Sequence, residues 1–530
     1  MPGSVPELKT YLTMNAERLD LPIRITRYAL ILAAVAYLVL YLMIALLRIR
    51  YPFELEWMEG GSVDHVRRIL AGQKLYVRPT LEFVPYIYTP LYFYVSAAVA
   101  VAVGVGFTAL RLVSLVASLG CFATIFIMVR RETRDTLAGI VAAGLFAATF
   151  RIGGAWFDLA RIDSLFLFLL LVGVYVLRFA GPRRSYVLAG LLVSLAFLTK
   201  QIALIMLVPL IAWSAVRGIR PRVGRDGGSE DDHRALRRSL WFTGTVVGVT
   251  GLTTVILNYL HDGWYNYYVF ELASHHEIVG SKYIGFWKDD LFLKLPVAVA
   301  IAVFYLLPGA GGTRKPRDFF YPVLLAGMVG GSWISRLHLG GYENVLLPAY
   351  AAGAIGFGLG IHKASRLLLS KPVYATKVLW IVVCIISLWQ FALLRYDPAR
   401  QLPTGADREA GNRLVGMISK VEGQVLVPDH GYLARMAGKQ DCAHRMAMHD
   451  VIRGGVAGSK ADLIGEIGRA LSEKQFGAVI LDYEWRPNEL DPYYEVRQMG
   501  YPNDEVFMPV TGKRTRPTLM CVPMVKRKTG

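Results

Sequence analysis

The sequence predicts a polytopic α-helical membrane protein with about eleven transmembrane helices and a small extracytoplasmic α/β domain at its C-terminus. Three observations carry this expectation. Hydrophobic residues make up 54% of the 530 residues and charged residues only 18%, too apolar a balance for a soluble enzyme of this length. The apolar residues gather into runs near the roughly 20 helical residues needed to cross a hydrocarbon core about 30 Å thick. From Tyr396 onward hydropathy drops, and helix and strand patterns alternate.

Candidate spans run from Tyr28 to Leu47, Ala109 to Val129, Thr136 to Phe150, Ser164 to Phe179, Tyr186 to Leu198, Ile202 to Val216, Leu240 to Leu260, Leu291 to Leu307, Phe319 to Ile334, Val345 to Ile361 and Val378 to Leu394. The first is expected to be an uncleaved anchor, because it is long, ends in Arg48 and Arg50 and lacks a small-residue cleavage site before them. Loop charge decides the ambiguous stretches, since a wrong count inverts every later loop. Counting Leu91 to Val105 as a span would put Arg130, Arg131 and Arg134 outside, so this stretch is laid on the outer surface. Breaking Tyr186 to Val216 into a hairpin at Thr199, Lys200 and Gln201 keeps both flanking basic loops in the cytoplasm. The N-terminus and cytoplasmic loops then hold 24 Lys and Arg, counting Arg178 with its loop, against 6 in the four short outer loops.

The expected protein is therefore a multi-pass plasma-membrane protein with a cytoplasmic N-terminus. Residues 1–395 form its transmembrane unit, with a first extracytoplasmic loop over 48–108, and residues 396–530 form the extracytoplasmic domain. The net charge of +18 follows topology rather than nucleic acid binding, because the basic residues sit between apolar runs and not along one polar face. The stretch from Arg217 to Ser239 reads as a flexible cytoplasmic linker.

In the C-terminal region, helices are expected from Arg408 to Lys420 and Ala461 to Lys474, and strands from Gln424 to Val427, Ala478 to Leu481 and Thr518 to Val522. No phosphate-loop, dinucleotide or nucleophile-elbow motif is present there. Cys121 and Cys384 fall in apolar runs and read as packing residues. Cys442 and Cys521 both lie in the tail, and a disulfide between them is open to the chain if that tail is outside.

The middles of the spans carry almost no charge, which argues against a transporter needing ionisable groups near the midplane. Charge gathers instead where helices meet the outer surface: Glu54, Glu56 and Glu59, then Asp158, Arg161 and Asp163, then Lys200, then Arg336, His338 and Glu343. After the glutamates comes an amphipathic segment to Leu70, placed along the interface. The bland reading of the glutamates is that they favour the positive end of this helix's dipole. Trp264, Tyr265, Tyr267 and Tyr268 read as an interfacial belt in preference to a sugar-stacking platform. Adjacent histidines such as His275 and His276 point apart on a helix or strand, so a divalent metal stays open but is not predicted, and no other cofactor is called for.

The acidic cluster, the run Arg67-Arg68-Ile69-Leu70-Ala71-Gly72, then Leu75-Tyr76 and Tyr88-Thr89-Pro90-Leu91-Tyr92 resemble the first loop of bacterial GT-C glycosyltransferases, nearest the protein O-mannosyltransferase and lipid A aminoarabinose transferase branch. Asp163-Ser164-Leu165 opening a span and Leu198-Thr199-Lys200 closing one extend the likeness over roughly the first 220 residues. Each motif is degenerate, and their order and spacing carry the weight. The resemblance implies attack on the anomeric carbon of a polyprenyl-phosphate sugar with inversion, an acid of the first loop serving as base. Two departures stand out. Glu59-Gly60 replaces the family's Asp-Glu pair, and Val84, Pro85 and Tyr86 stand where some relatives place a lysine.

Transition-state chemistry asks for the same groups independently of the family. A sugar leaving as a lipid phosphate needs a carboxylate to take the acceptor's proton and cations to hold the phosphate charge. Glu59 or Glu56 is the expected base, with Asp163 in support. Lys200, Arg336, Arg161 and Arg78 are the cation candidates, and Gln201, His338, Tyr342, Asn344 and Asp158 the expected substrate contacts. For the cations the competing reading is a side chain snorkelling to anchor a helix end. For Asp163 it is a helix N-cap or a salt bridge with Arg161. Expected partners are the lipid-linked donor, a glycan, lipid or protein acceptor, and the bilayer. Two other classes stay in view: a transporter or flippase of lipid-linked glycans, and a non-catalytic assembly subunit in which the outer acids do not converge.

Overall fold

A computed structural model describes residues 19–219, 228–308, 319–370, 373–482, 490 and 492–524. The apolar runs form helices, which join into one bundle. In chain order these are α1 (Asp20–Arg48), α2 (Glu59–Leu70), α3 (Leu91–Val103), α4 (Phe107–Thr133), α5 (Thr136–Ala148), α6 (Asp163–Arg178), α7 (Arg183–Thr199), α8 (Ala203–Ile219), α9 (Gly228–Leu260), α10 (Pro296–Leu306), α11 (Phe320–Leu337), α12 (Leu347–Leu369) and α13 (Tyr374–Leu393). Two π-helical segments, Tyr267–Leu272 and Phe286–Phe292, lie between α9 and α10.

Among the described residues five helical segments are long and apolar enough to cross a membrane: Asp20–Arg48, Phe107–Thr133, Leu236–Leu260, Glu343–Leu369 and Tyr374–Leu393. Shorter apolar helices fill the bundle between them. Leu32, Val247, Val255 and Leu379 are more than half exposed, presenting apolar faces that only lipid would cover. Inside, small residues let backbones approach, as apolar side chains gain nothing by leaving lipid for each other. A Cβ on Gly144 would strike the Ala34 backbone, so α1 and α5 are in close contact there.

The linker expectation holds only in part: residues 220–227 lie outside the described residues, and from Gly228 the chain is already the helix α9. The break at Lys200 is present, with Lys200 extended between α7 and α8.

After α13 come α14 (Gly405–Ser419), β1 (Gln424–Leu426), α15 (Gly431–Met436), α16 (Arg445–Gly454), α17 (Ala457–Ser472), β2 (Phe476–Asp482), β3 (Tyr494–Gln498) and β4 (Pro517–Pro523). Thr404 and Asp407 close a reciprocal capping box that starts α14. The sheet runs β1-β2-β4-β3, with β1 parallel to β2 and the other pairs antiparallel. Helices α15 and α16 and strand β3 go beyond the sequence expectation. Cys442 and Cys521 are both free thiols, so the disulfide open to them is not formed.

This domain does not stand apart from the first loop. Phe53, Trp57, Val63, Val66 and Tyr86 share one apolar core with Leu414, Val425, Leu433, Val479 and Ile480. Glu56 bridges to Thr511, and the Ala443 N–H donates to the Leu81 carbonyl at 2.9 Å. The loop that carries the acidic cluster is thus held between the helix bundle and the sheet domain.

Candidate active site

The three glutamates of the first loop meet three different fates. Glu59 is fully buried, and Arg111 of α4 grips both its oxygens, Nε at 3.0 Å and Nη2 at 2.5 Å. The Ala160 and Leu55 N–H groups donate to the same carboxylate at 2.6 and 2.7 Å. Burial alone would raise its pKa, but Arg111 and these hydrogen bonds override that and hold it below the usual carboxylate range. A carboxylate with every acceptor filled and its charge stabilised is a poor base, so Glu59 reads as a structural ion pair. Glu59→Gln leaves Arg111 buried without a counter-charge, and a loss of about 3–5 kcal/mol is expected in detergent-solubilised thermal unfolding.

Glu54 accepts from the Gly60 N–H at 2.9 Å and contacts His430 Nδ1 at 2.5 Å. Burial pushes its pKa up to about 7 against the pull of His430. Glu56 differs from both. Its Oε2 accepts from the Met58 N–H at 3.2 Å and lies 3.3 Å from Arg161 Nη1, while Oε1 has no hydrogen-bond partner. Burial drives its pKa up to about 8; Arg161 opposes this, and the Glu59 and Glu54 charges add to it. Gly512, at φ +75°, covers this carboxylate, and a Cβ there would lie 2.9 Å from Oε1.

Glu56 borders a cavity of ≈ 840 Å³ built from many segments. The first loop contributes Glu56, Trp57, Tyr86 and Tyr88; the turn before α6 contributes Trp156 and Arg161. Lys200, Gln201, Ile202, Leu204 and Ile205 come from the α7–α8 break, and His338, Tyr342 and Asn344 from the loop after α11. The C-terminal domain adds Arg445, His449, Asp450, Arg453 and Lys513.

Two cations in this cavity are held in different ways. Arg161 is 4% exposed; its Nη2 donates to the Tyr88 hydroxyl at 3.0 Å, while Nε and Nη1 have no hydrogen-bond acceptor. Burial disfavours its charge, yet Glu56 and the tyrosines outweigh this and keep the guanidinium firmly protonated. Lys200 Nζ donates to Asp163 Oδ1 at 2.6 Å, and the Asn344 amide donates to the same oxygen at 3.0 Å. Asp163 opens α6 but caps no backbone N–H and pairs with Lys200 rather than Arg161. It stands behind the cation and orients it. Gln201 anchors its amide N–H groups on the Ile87 and Val269 carbonyls, leaving Oε1 unpartnered.

Five expected residues do not line the cavity, Asp163 behind Lys200 among them. Asp158 is locked in a bidentate pair with buried Arg48 at 2.5 and 2.8 Å, which ties the end of α1 to the turn before α6. Arg336 spends its donors on Asp290, Glu343 and the Gly341 carbonyl, so it builds the glycine turn that carries His338 and Tyr342. Arg78 is exposed and pairs with Asp462. Glu59 is the fifth. The tyrosines of the 264–268 segment form neither a belt nor a platform: Tyr265, Tyr267 and Tyr268 are buried, with Tyr76 packed edge-on against Tyr265.

Arg445, His449 and Arg453 lie four residues apart along α16, on one helix face, yet they escaped the sequence reading. The signal was legible, since Ala447, Met448 and Val451 fill the opposite face and His444 accepts from the Met446 N–H as N-cap. Short helices with so many polar residues are masked by loop composition. Arg445 pairs with Asp429 at 2.8 Å and Arg453 with Asp450 at 3.3 Å.

The bundle, the elaborated first loop and the terminal sheet domain define a multi-pass membrane protein with the GT-C fold. Residues 87–225 match the family described as dolichyl-phosphate-mannose-protein mannosyltransferase. The fold is similar to that of ArnT from Cupriavidus metallidurans bound to undecaprenyl phosphate, at 12% identity and a TM-score of 0.58, covering 94% of this chain and 98% of that one. It is also similar to the archaeal oligosaccharyltransferase AglB from Archaeoglobus fulgidus, in complex with an inhibitory peptide and a dolichol-phosphate. There the identity is 11% and the TM-score 0.53, over 86% of this chain and 69% of that one. No curated protein matches the chain by sequence.

Proposed function

We propose that the chain is an inverting glycosyltransferase that moves a sugar from a polyprenyl-phosphate donor to an acceptor on the extracytoplasmic side. The observation that carries this reading is the convergence, in one ≈ 840 Å³ cavity, of a carboxylate with an unpartnered oxygen (Glu56) and two cations (Arg161 and Lys200). Phe197, Ile205, Phe270 and Leu339 line the same cavity, and the last three are more than a third exposed. An apolar opening of this kind suits a prenyl chain entering from the bilayer while its phosphate rests at the cations.

The reaction follows from these positions. The acceptor hydroxyl attacks the anomeric carbon as its proton passes to Glu56 Oε1, and the bond from that carbon to the phosphate oxygen breaks. One displacement inverts the configuration. The electron pair departs with the lipid phosphate, which leaves without a general acid because its charge is balanced by Arg161 and Lys200. The C-terminal face of Arg445, His449 and Arg453 receives the acceptor, which requires that this domain be outside, on the same side as the first loop.

Transfer from a panel of radiolabelled polyprenyl-phosphate sugars in proteoliposomes tests the reading. Lys200→Gln should raise the donor KM by about tenfold, the worth of one charge-assisted contact to phosphate. Donor consumption without a glycosylated product, or translocation without consumption, would replace transfer by hydrolysis or by flipping.

A further inference from the structure

A second cavity of ≈ 400 Å³ lies at the opposite ends of the helices that frame the first. Helix α6 begins at Asp163, beside Lys200, and ends at Arg178 in this second cavity; its 16 residues span about 24 Å. Helix α8 likewise offers Ile205 to the first cavity and Trp213 and Ser214 to the second. The two cavities therefore face opposite surfaces of the bilayer.

The second cavity is amphipathic. Trp213 and Phe242 belong to an aromatic wall, and Ser214 and Ser239 bring their hydroxyls within 3.1 Å of each other. Arg178 is clamped by Glu132 at 2.5 and 2.9 Å. Arg238 is exposed and forms no ion pair among the described residues. Other arginines belong to the same helix ends: Arg131 lies over the Phe179 ring at 4.4 Å, and Arg183 over Trp241 at 3.3 Å.

We infer that this cavity binds one anionic phospholipid. Its phosphodiester lies between Arg238 and the Ser214–Ser239 pair, and an acyl chain runs along Trp213 and Phe242. Basic pockets between membrane helices collect such headgroups, each arginine near the surface contributing about 1 kcal/mol. The aromatic wall favours a lipid over free phosphate. Among the described residues a choline headgroup meets no spare carboxylate, because Glu132 is already occupied by Arg178 and the Tyr321 hydroxyl. The site is independent of sugar transfer, since none of its residues lines the first cavity.

Native mass spectrometry of the full-length protein in detergent tests it, with dioleoyl phosphatidylglycerol, dioleoyl phosphatidylcholine or glycerol phosphate added in separate arms. Wild-type protein should retain one phosphatidylglycerol in preference to phosphatidylcholine, and excess glycerol phosphate should leave it in place. Arg238→Gln should weaken retention by about fivefold. Ser239→Leu, which fills the cavity, should abolish it, and both variants should keep wild-type sugar transfer. Equal retention of the two lipids by wild-type protein would overturn the proposal whatever the variants do, as would unchanged phosphatidylglycerol binding in both variants. Displacement by glycerol phosphate would assign the site to a free phosphate instead.

Discussion

Glu56→Gln is expected to lower kcat by about 10²–10⁴-fold while leaving the donor KM nearly unchanged, the signature of a lost general base. Glutamine keeps the shape beside Met58 and Arg161 but cannot accept the acceptor's proton. The wild-type pH profile is a second readout of the same group. With a pKa of about 8, only about a tenth of Glu56 is ionised at neutral pH, and its anion is the active form. The rate should therefore rise about tenfold per pH unit up to about pH 8 and then level off. In Glu56→Gln this slope should vanish. A variant with full turnover and an intact profile would remove Glu56 from the reaction.

His430→Gln is expected to destabilise the junction between the first loop and the C-terminal domain by about 3–5 kcal/mol. His430 is buried between Glu54 at 2.5 Å and Asp482 at 3.2 Å, and Thr515 donates to the same Asp482 oxygen. Removing the imidazolium leaves two buried carboxylates facing each other with no cation between them. Burial would lower the pKa of His430, but Asp482 and Glu54 override it and raise it well above the usual histidine value. The sign follows from linkage. A group with a raised folded pKa contributes its stability in full below its unfolded pKa and loses it as pH rises through the folded one. For His430 the loss begins above about pH 6.5, and Glu54, raised to about 7, acts in the same direction from lower pH. Wild-type protein should thus melt at a lower temperature at about pH 9 than at about pH 6, and His430→Gln should flatten part of that difference. An unchanged melting curve would mean that the triad carries no load.

Much of the architecture was legible because membrane helices announce themselves. The runs around Leu30, Leu115 and Trp380 are apolar over lengths that a bilayer demands, and α14 carries its capping box in Thr404 and Asp407. The strand β3 was missed although Tyr494–Gln498 alternates apolar and charged residues, because a run of only five residues gives a weak signal and its pairing with β4 is not local. The gathering of acids and cations at one set of helix ends was also readable from hydropathy. Their individual roles were not. Glu54, Glu56 and Glu59 lie within six residues of one another and carry the same charge, and nothing local distinguishes them.

The sequence by itself determined that this chain belongs in a membrane, where its helices break and which ends of those helices are rich in charge, because these depend on composition over a dozen or so neighbouring residues. Tertiary structure alone decided which of those charges are spent. Arg111 claims Glu59 from 52 residues away, Asp290 claims Arg336 from 46, and His430 claims Glu54 from 376. A buried charge must find its partner or remain costly, so the groups left for chemistry are those that distant contacts did not consume. Glu56 Oε1, the Arg161 Nε and Nη1 donors that have no hydrogen-bond acceptor, and the Lys200 ammonium beyond its one bond to Asp163 are that remainder.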